Sequence, residues 1–198
     1  MKRMSYLSYI LVVVLILVAV GVLFRGGVTD KNAAAIAFAT AADQEAQDFI
    51  ATINGENIGR EYYTISYRLH QAKSPDAETD TLLAQTSAEI EDQMAYLLYA
   101  QSSALLPTED EAQAYYDGQR SAFAADEEAD AQMRALCEQL GIDEDLMWQY
   151  NRLQAVFTVT KSKVDAYIEE NELQPFDSDG LIVEFTDEDF VRSLTEGQ

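Results

Sequence analysis

Histidine, cysteine and tryptophan are nearly missing from this chain, which has one of each among its 198 residues. A single cysteine cannot form an internal disulfide. The sequence also lacks a Gly-rich phosphate loop, the Cys/His spacing of a metal site, and a histidine placed recognisably with a serine or cysteine nucleophile. We therefore expect no enzymatic activity, no cofactor and no metal site.

Basic residues are scarce as well. The chain has 13 Lys and Arg against 35 Asp and Glu, which gives a formal net charge of −22. Nucleic acid is a poor partner for such a chain, because its affinity for proteins comes largely from basic side chains that displace counterions. The same charge disfavours contact with anionic lipid head groups.

The lone cysteine and the lone histidine have simple structural explanations. Cys137 lies with Met133, Leu136 and Leu140 at the i, i+3, i+4 and i+7 positions of a helical stripe. A buried cysteine commonly behaves as a small apolar residue, so we predict a core position. His70 falls at the end of a predicted helix among polar neighbours, where it is expected to be solvated or to face the helix dipole.

One hydrophobic run is long, and it extends without a charge from Tyr6 to Phe24. It matches the roughly 20 residues that cross a hydrocarbon layer of about 30 Å, and it exceeds the apolar core of about 7–15 residues in a cleavable signal peptide. We predict that residues 1–25 are a retained single-pass anchor. A cleaved signal is the alternative, although no small-x-small site directly follows Phe24 and no nearby cysteine could carry a lipid.

The charges beside this run give only a weak orientation signal. Lys2 and Arg3 precede it, while Arg25 and Lys31 follow it. A short head before a long tail is typical of a signal anchor, so we place the chain at the cell membrane with its folded domain on the extracytoplasmic side. A domain that faces the cytoplasm is the alternative.

Residues 26–42 are rich in Gly, Ala and Thr without a sustained amphipathic pattern, and they are predicted to be a linker, either a stalk or a loose helix that leads off the membrane. A folded domain is expected at residues 43–176. Near its start, Asn54-Gly55 tolerates two positive φ angles and predicts a hairpin between Phe49–Ile53 and Glu56–Ile58. Two isolated strands are marginal in water, so the hairpin must pack on helices.

Apolar residues at three- and four-residue steps predict five helices and thus a mainly α fold. The first helix follows Gly59 and ends near Pro75. The second is capped by Asp80 or Thr81 and is stopped by Pro107.

The last three helices carry clear end signals. Thr108 to Glu111 is a capping box that opens the third helix. The fourth runs from Glu127 to Leu140 and is closed by Gly141. The fifth is capped by Asp143 and continues to about Asn171.

Residues 177–198 are predicted to be an acidic tail. Within it, Leu181 to Phe185 can form a short strand that ties this last segment to the hairpin. Acidic pairs such as Glu89 and Asp92 are expected on solvated helix faces rather than as the two carboxylates of a glycosidase.

Several short motifs, taken in order, resemble the N-terminal helical chaperone domain of SurA- and PrsA-type foldases and the C-terminal domain of trigger factor. The opening motif apolar-x-Val/Ile-Asn-Gly-Glu-x-Ile stands here as IATINGENI, from Ile50 to Ile58, and Glu61-Tyr62 follows. The other matching pieces are Leu97, Leu98 and Ala100; the helix start at Thr108; LGIDEDL from Leu140 to Leu146; and VDAYIEEN from Val164 to Asn171. The likeness spans residues 45–176.

The resemblance implies an open, multi-helix domain that holds unfolded polypeptides. In the two-part foldases a parvulin-type prolyl isomerase domain follows this helical domain, whereas only 22 residues follow Phe176 here. Isomerase activity is therefore not carried over. A separate isomerase or an envelope protein is then a candidate partner.

Aromatic and methionine side chains near the edges of the helical stripes are candidates for peptide binding, because amphipathic rings and flexible thioethers can accept many apolar sequences. The candidate residues are Tyr63, Tyr67, Met94, Tyr99, Tyr116 and Phe157. We expect a holdase for unfolded or secreted polypeptides. The alternative is a non-catalytic scaffold subunit that binds one membrane or envelope partner.

Overall fold

Six helices and three short strands make up the part of the chain that the computed structural model describes, which is residues 31–40, 49–53, 56–174 and 183–185. In chain order these elements are α1 (Lys31–Thr40), β1 (Phe49–Ile53), β2 (Glu56–Gly59), α2 (Arg60–Lys73), α3 (Thr79–Ser102), α4 (Glu109–Ala125), α5 (Glu127–Leu140), α6 (Glu144–Glu170) and β3 (Val183–Phe185). The mainly α fold class predicted from the sequence is confirmed.

The longest helix, α6, lies at the centre of the bundle. It contacts α1, α3, α4 and α5. Leu153, Ala155, Val156 and Val164 on this helix are fully buried. These positions point to several sides, because successive residues of an α-helix are turned by about 100°. A helix with apolar side chains on several sides needs a neighbour on each of them. The other helices are therefore arranged around α6.

Three of the predicted helix starts and ends are present as capping contacts. Thr108 accepts a hydrogen bond from the backbone of Glu111, and the Glu111 carboxylate accepts one from the Thr108 backbone in return. Asp143 caps α6 through the backbone N–H of Leu146, and Gly141 ends α5 in the left-handed region with φ 65°. These caps satisfy backbone groups that helix ends otherwise leave unpaired.

The start of α3 differs from the prediction. We expected Asp80 or Thr81 to cap it, but the helix begins at Thr79 after Glu78, and no side chain caps it. Leu82, in the first turn, is almost fully buried. Packing of this turn on the core therefore fixes the start of α3 without a side-chain cap.

Residues 31–40, which we expected to be part of a linker, form helix α1. Ala35 and Ala39 are buried in the main core cluster. An alanine-rich helix shows little amphipathic contrast in sequence, yet its small side chains let its backbone pack closely on neighbours. The folded part of the chain therefore begins before residue 43.

The three strands form one antiparallel sheet in the order β2–β1–β3. Ala51 on the central strand lies opposite Ile58 on β2 and Phe185 on β3. The predicted pairing of β1 with β2 is confirmed, and so is the short strand in the tail. Backbone hydrogen bonds thus join a segment that precedes α2 to a segment that follows α6.

Two predicted features lie outside the described residues. They are the membrane anchor at residues 1–25 and the tight turn at Asn54-Gly55. Among the residues that the structure does describe, none of the helices combines the length and the apolar character needed to span a bilayer.

Gly59→Ala is expected to destabilise the fold. The backbone of Gly59 (φ −61°) suits alanine, but an added Cβ would lie 2.6 Å from the carbonyl oxygen of Phe38. That atom belongs to the backbone of α1, so α1 must move away from β2. We expect a loss of about 1–3 kcal/mol in the free energy of unfolding, the range for overpacked sites, measured by urea unfolding.

Gly118→Ala is the matched control for this substitution. No atom lies within 4 Å of a Cβ added at Gly118, which is inside α4. Replacing a helical glycine by alanine is expected to stabilise the fold by about 0.5–1 kcal/mol. The steric explanation for Gly59 is wrong if both variants are equally stable.

Glu111→Gln is expected to change the pH dependence of stability. The Lys163 ammonium, 2.8 Å from the Glu111 carboxylate, and the Thr108 backbone lower the pKa of Glu111 to about 2. The paired carboxylate therefore stabilises the fold above the unfolded pKa of about 4.3, and this contribution is lost as pH falls toward 2. Since the side chain is 45 % exposed, we expect less than about 1 kcal/mol at pH 7.

Urea unfolding at several pH values between 2 and 7 measures this contribution, and glutamine keeps the capping hydrogen bonds while it removes the charge. Lys163→Gln is expected to give a similar loss, and the double variant no further loss. Fully additive losses would contradict a direct link between Glu111 and Lys163.

Candidate functional site

The residues predicted to bind peptide are mostly core residues. The exposed fraction is between 1 and 8 % for Tyr63, Tyr67, Met94, Tyr116 and Phe157. Tyr99 is partly buried and packs on a smaller apolar cluster at the end of α3. These side chains do not line an open groove, and their assignment as a peptide-binding surface is corrected.

Tyr63 and Tyr67 are buried because α2 has neighbours on more than one side. Periodicity along the sequence gives one buried stripe on this helix, at Tyr62, Ile65 and Ser66, and leaves Tyr63 and Tyr67 beside it. In the fold, α2 contacts α3 and α5 as well as α1 and the strands. Because α2 is covered on more than one side, residues next to the stripe become buried too.

A polar cluster joins α2, α3 and α6 inside the bundle. The Tyr62 hydroxyl donates a hydrogen bond to the side-chain oxygen of Gln93. The Gln93 amide nitrogen donates in turn to Glu89 Oε1 and to Gln154 Oε1, each at 3.1 Å. The cluster thus links one side chain from α2, two from α3 and one from α6.

His70 belongs to the edge of the same cluster. Its Nε2 lies 2.7 Å from Glu89 Oε2, and its side chain is 18 % exposed. His70 lies in the last turn of α2, where the helix dipole was one of its two expected environments, and it is held by a carboxylate rather than freely solvated. Glu89 is engaged by His70 rather than part of a freely solvated acidic face. The side chains of Tyr62, Gln93, Glu89 and Gln154 bond mainly to one another, and the cluster therefore fixes the positions of three helices.

Two tyrosine rings, tilted by 33° to each other, pack beside this cluster. The rings of Tyr62 and Tyr150 have centroids 5.9 Å apart, and Tyr62 also packs on Phe157 at 6.3 Å. Burial raises the pKa of both tyrosines, and the nearby Glu89 carboxylate raises them further. Both hydroxyls therefore remain protonated in the folded protein at neutral pH.

A second aromatic cluster lies nearer the surface, between α4 and α6. Trp148 receives the ring edges of Tyr116 and Phe123, with centroid distances of 6.0 and 5.9 Å. The Arg120 guanidinium lies 5.2 Å from the centre of the Trp148 ring, within the range of a cation–π contact. Trp148 and Phe123 are both partly exposed. We name these four residues the Trp148 cluster.

Acidic residues are numerous in α4 and α5, the helices near the Trp148 cluster. Residues 109–145, which contain α4 and α5, include twelve Asp and Glu but only Arg120 and Arg134 as basic residues. Arg134 is itself paired with Asp130 in the same helix. The cluster therefore combines aromatic surface, which already accepts the guanidinium groups of Arg120 and Arg152, with helices that carry an excess of acidic residues.

The sequence did not predict the contacts made by Trp148, Gln93 and Gln154. Each lies directly beside a buried position of its helix: Trp148 follows Met147, and Gln93 precedes Met94. Large or amide side chains at the border of an apolar stripe are the available signal. That signal does not distinguish a core contact from a surface contact, because it depends on the neighbouring helix.

Cys137 is buried in the main core cluster, as predicted. Burial raises the pKa of its thiol, and nearby acidic residues raise it further. Throughout the described ranges, no group of three or more His, Cys, Asp or Glu side chains is arranged to hold a metal ion.

No known protein-family model matches the chain, and comparisons with curated proteins and with solved structures also find no match.

Tyr150→Phe is expected to reduce the loss of stability at high pH. A folded-state pKa above the usual value of about 10 means that Tyr150 stabilises the fold below pH 10, and that this contribution is lost as pH rises beyond it. Unfolding free energy measured between pH 8 and 11 should therefore fall less steeply in the variant. An unchanged slope would show that Tyr150 ionises as easily in the folded as in the unfolded chain.

Proposed function

We propose that this chain is a membrane-anchored, non-enzymatic, chaperone-like protein that binds unfolded or secreted polypeptides outside the cytoplasm. Residues 1–25 are its proposed anchor, and the helical bundle is proposed to be a domain of the SurA N-terminal type. A prolyl isomerase on another chain is a proposed partner. The motifs that resemble SurA- and PrsA-type foldases support the fold part of this proposal.

The Trp148 cluster is the observation that carries the binding part. Three aromatic rings meet at the junction of α4 and α6, two of them are partly exposed, and acidic helices flank them. Aromatic rings accept apolar and cationic side chains of many sequences, while the negative charge attracts basic segments. Polypeptides with mixed aromatic and basic segments are therefore the proposed clients.

A scaffold subunit with one dedicated partner is the second candidate. One observation favours it: among the described residues, the large apolar side chains that are well exposed are only Tyr115, Tyr167 and Leu173. A general holdase needs apolar surface, since client binding depends on burying it. A small surface suits a specific partner better.

Binding of a reduced, unfolded client is expected to change the fluorescence of Trp148, which is the single tryptophan of the chain. A client without tryptophan is added to the chain, and the emission shift is followed. The binding should weaken as salt rises, because the attraction between acidic helices and basic client segments is screened. Phe123→Ala should weaken binding by several-fold.

Tyr167→Ala is the matched control, because Tyr167 is also an exposed aromatic residue but lies near the C-terminal end of α6. It should bind the client as the unchanged chain does. No emission shift with any of several unrelated clients, together with one stoichiometric partner recovered from membranes, would overturn the holdase and support the scaffold. Equal effects of both substitutions would contradict the assignment to the Trp148 cluster.

A further inference from the structure

The beginning of α1 is fixed against one end of the bundle. Lys31 Nζ lies 3.1 Å from Gln113 Oε1 and 3.9 Å from Glu109 Oε1. The side-chain amide of Asn32 donates a hydrogen bond of 3.2 Å to the backbone oxygen of Pro107. The first residues of α1 are therefore held at the turn between α3 and α4.

The sequence leaves little chain between this point and the proposed anchor. The uncharged run ends at Phe24 and α1 starts at Lys31, so six residues separate them. Even a fully extended chain of this length spans only roughly 25 Å. The first residue of α1 must then lie within that distance of the end of the apolar run, whatever conformation residues 25–30 adopt, and the turn between α3 and α4 lies in side-chain contact with the start of α1.

The C-terminal part of α6 lies at the same end of the bundle. Lys163 Nζ is 3.5 Å from the backbone oxygen of Leu106, in the turn between α3 and α4. Farther along, Ile168 packs against the smaller apolar cluster of Tyr96, Ala100 and Val164, as Leu105 and Leu106 also do. The backbone N–H of Leu173 donates to the Ile168 oxygen at 3.0 Å, which folds the chain back over the end of α6.

Exposed apolar side chains are concentrated at this end. Of the three well-exposed large apolar residues among those described, Tyr167 is 37 % exposed and Leu173 is 45 % exposed, and both lie beyond Lys163 on the chain. Tyrosine is enriched at the interface between bilayer and water. Because the segment between the proposed anchor and α1 is short, Tyr167 and Leu173 cannot lie far from the bilayer. The layer of lipid head groups is therefore a nearby partner for these two side chains.

We propose that this end of the bundle, with Tyr167 and Leu173 at its surface, contacts the head-group layer of the bilayer in which the chain is anchored. The inference rests on the membrane anchor in the proposed function. Glu169, Glu170 and Glu172 lie between or beside the two apolar residues. Their charge opposes anionic lipid, so the contact is with a zwitterionic head-group surface.

Site-specific quenching in vesicles tests this contact. The full chain carries Cys137→Ala, which removes the native thiol, and a single new cysteine for a fluorescent label, either Leu173→Cys or Ala124→Cys. Ala124 is the matched control, since it is exposed in the last turn of α4. The vesicles are phosphatidylcholine with a small fraction of head-group spin-labelled lipid.

We expect the label at position 173 to be quenched several-fold more strongly than the label at position 124. Replacing a quarter of the phosphatidylcholine by phosphatidylglycerol should reduce the difference. Inserting twenty Gly and Ser residues after Gly27 should reduce it as well, because a longer tether lowers the effective concentration of the domain at the surface.

The outcomes separate this inference from the proposed function. Flotation of the labelled chains with the vesicles is measured first, and chains that do not float overturn the anchor and the contact together. Chains that float with equal quenching at both positions overturn the contact alone. Energy transfer between labels at position 173 on neighbouring chains, without quenching by lipid, would show that a second copy covers this surface instead.

Discussion

The burial of α6 on several sides is the constraint on which the rest of the structure depends. The fully buried residues Leu153, Ala155 and Val156 point away from the helix in different directions. Exposing any of these faces would cost on the order of 1.5–3 kcal/mol for each large apolar side chain. Helices α1, α3, α4 and α5 are therefore held in place as covers for one helix, and their ends are adjusted by caps and polar contacts.

Features that depend only on residues close together in the chain are predicted well from this sequence. The starts of α4 and α6 follow from Thr108 and Asp143, and the end of α5 follows from Gly141, because these residues act within a few residues of the chain. The pairing of β1 with β2 is also local. The packing of α1 in the core was not predicted, since this segment was expected to be a stalk or a loose helix. Its alanines are buried only through contact with distant elements.

The same distinction explains the fate of the predicted binding residues. Tyr63 and Tyr67 lie beside a buried stripe, and a stripe has an open border only if no second neighbour covers it. Helices α3 and α5 both contact α2, so the border closes. Trp148 also lies beside a buried position, but its ring packs on side chains of α4 and stays partly exposed. Exposure of a border residue is thus set by the number of neighbouring helices.

The direction of α4 relative to α6 places the two proposed surfaces far apart. Glu111, at the start of α4, contacts Lys163 near the end of α6, whereas Phe123, near the end of α4, packs on Trp148 near the start of α6. The two helices are therefore antiparallel. Lys163 lies fifteen positions after Trp148, which is roughly 22 Å along a helix axis. If the Lys163 end faces the bilayer, the Trp148 cluster projects away from it, where polypeptides outside the membrane can reach it.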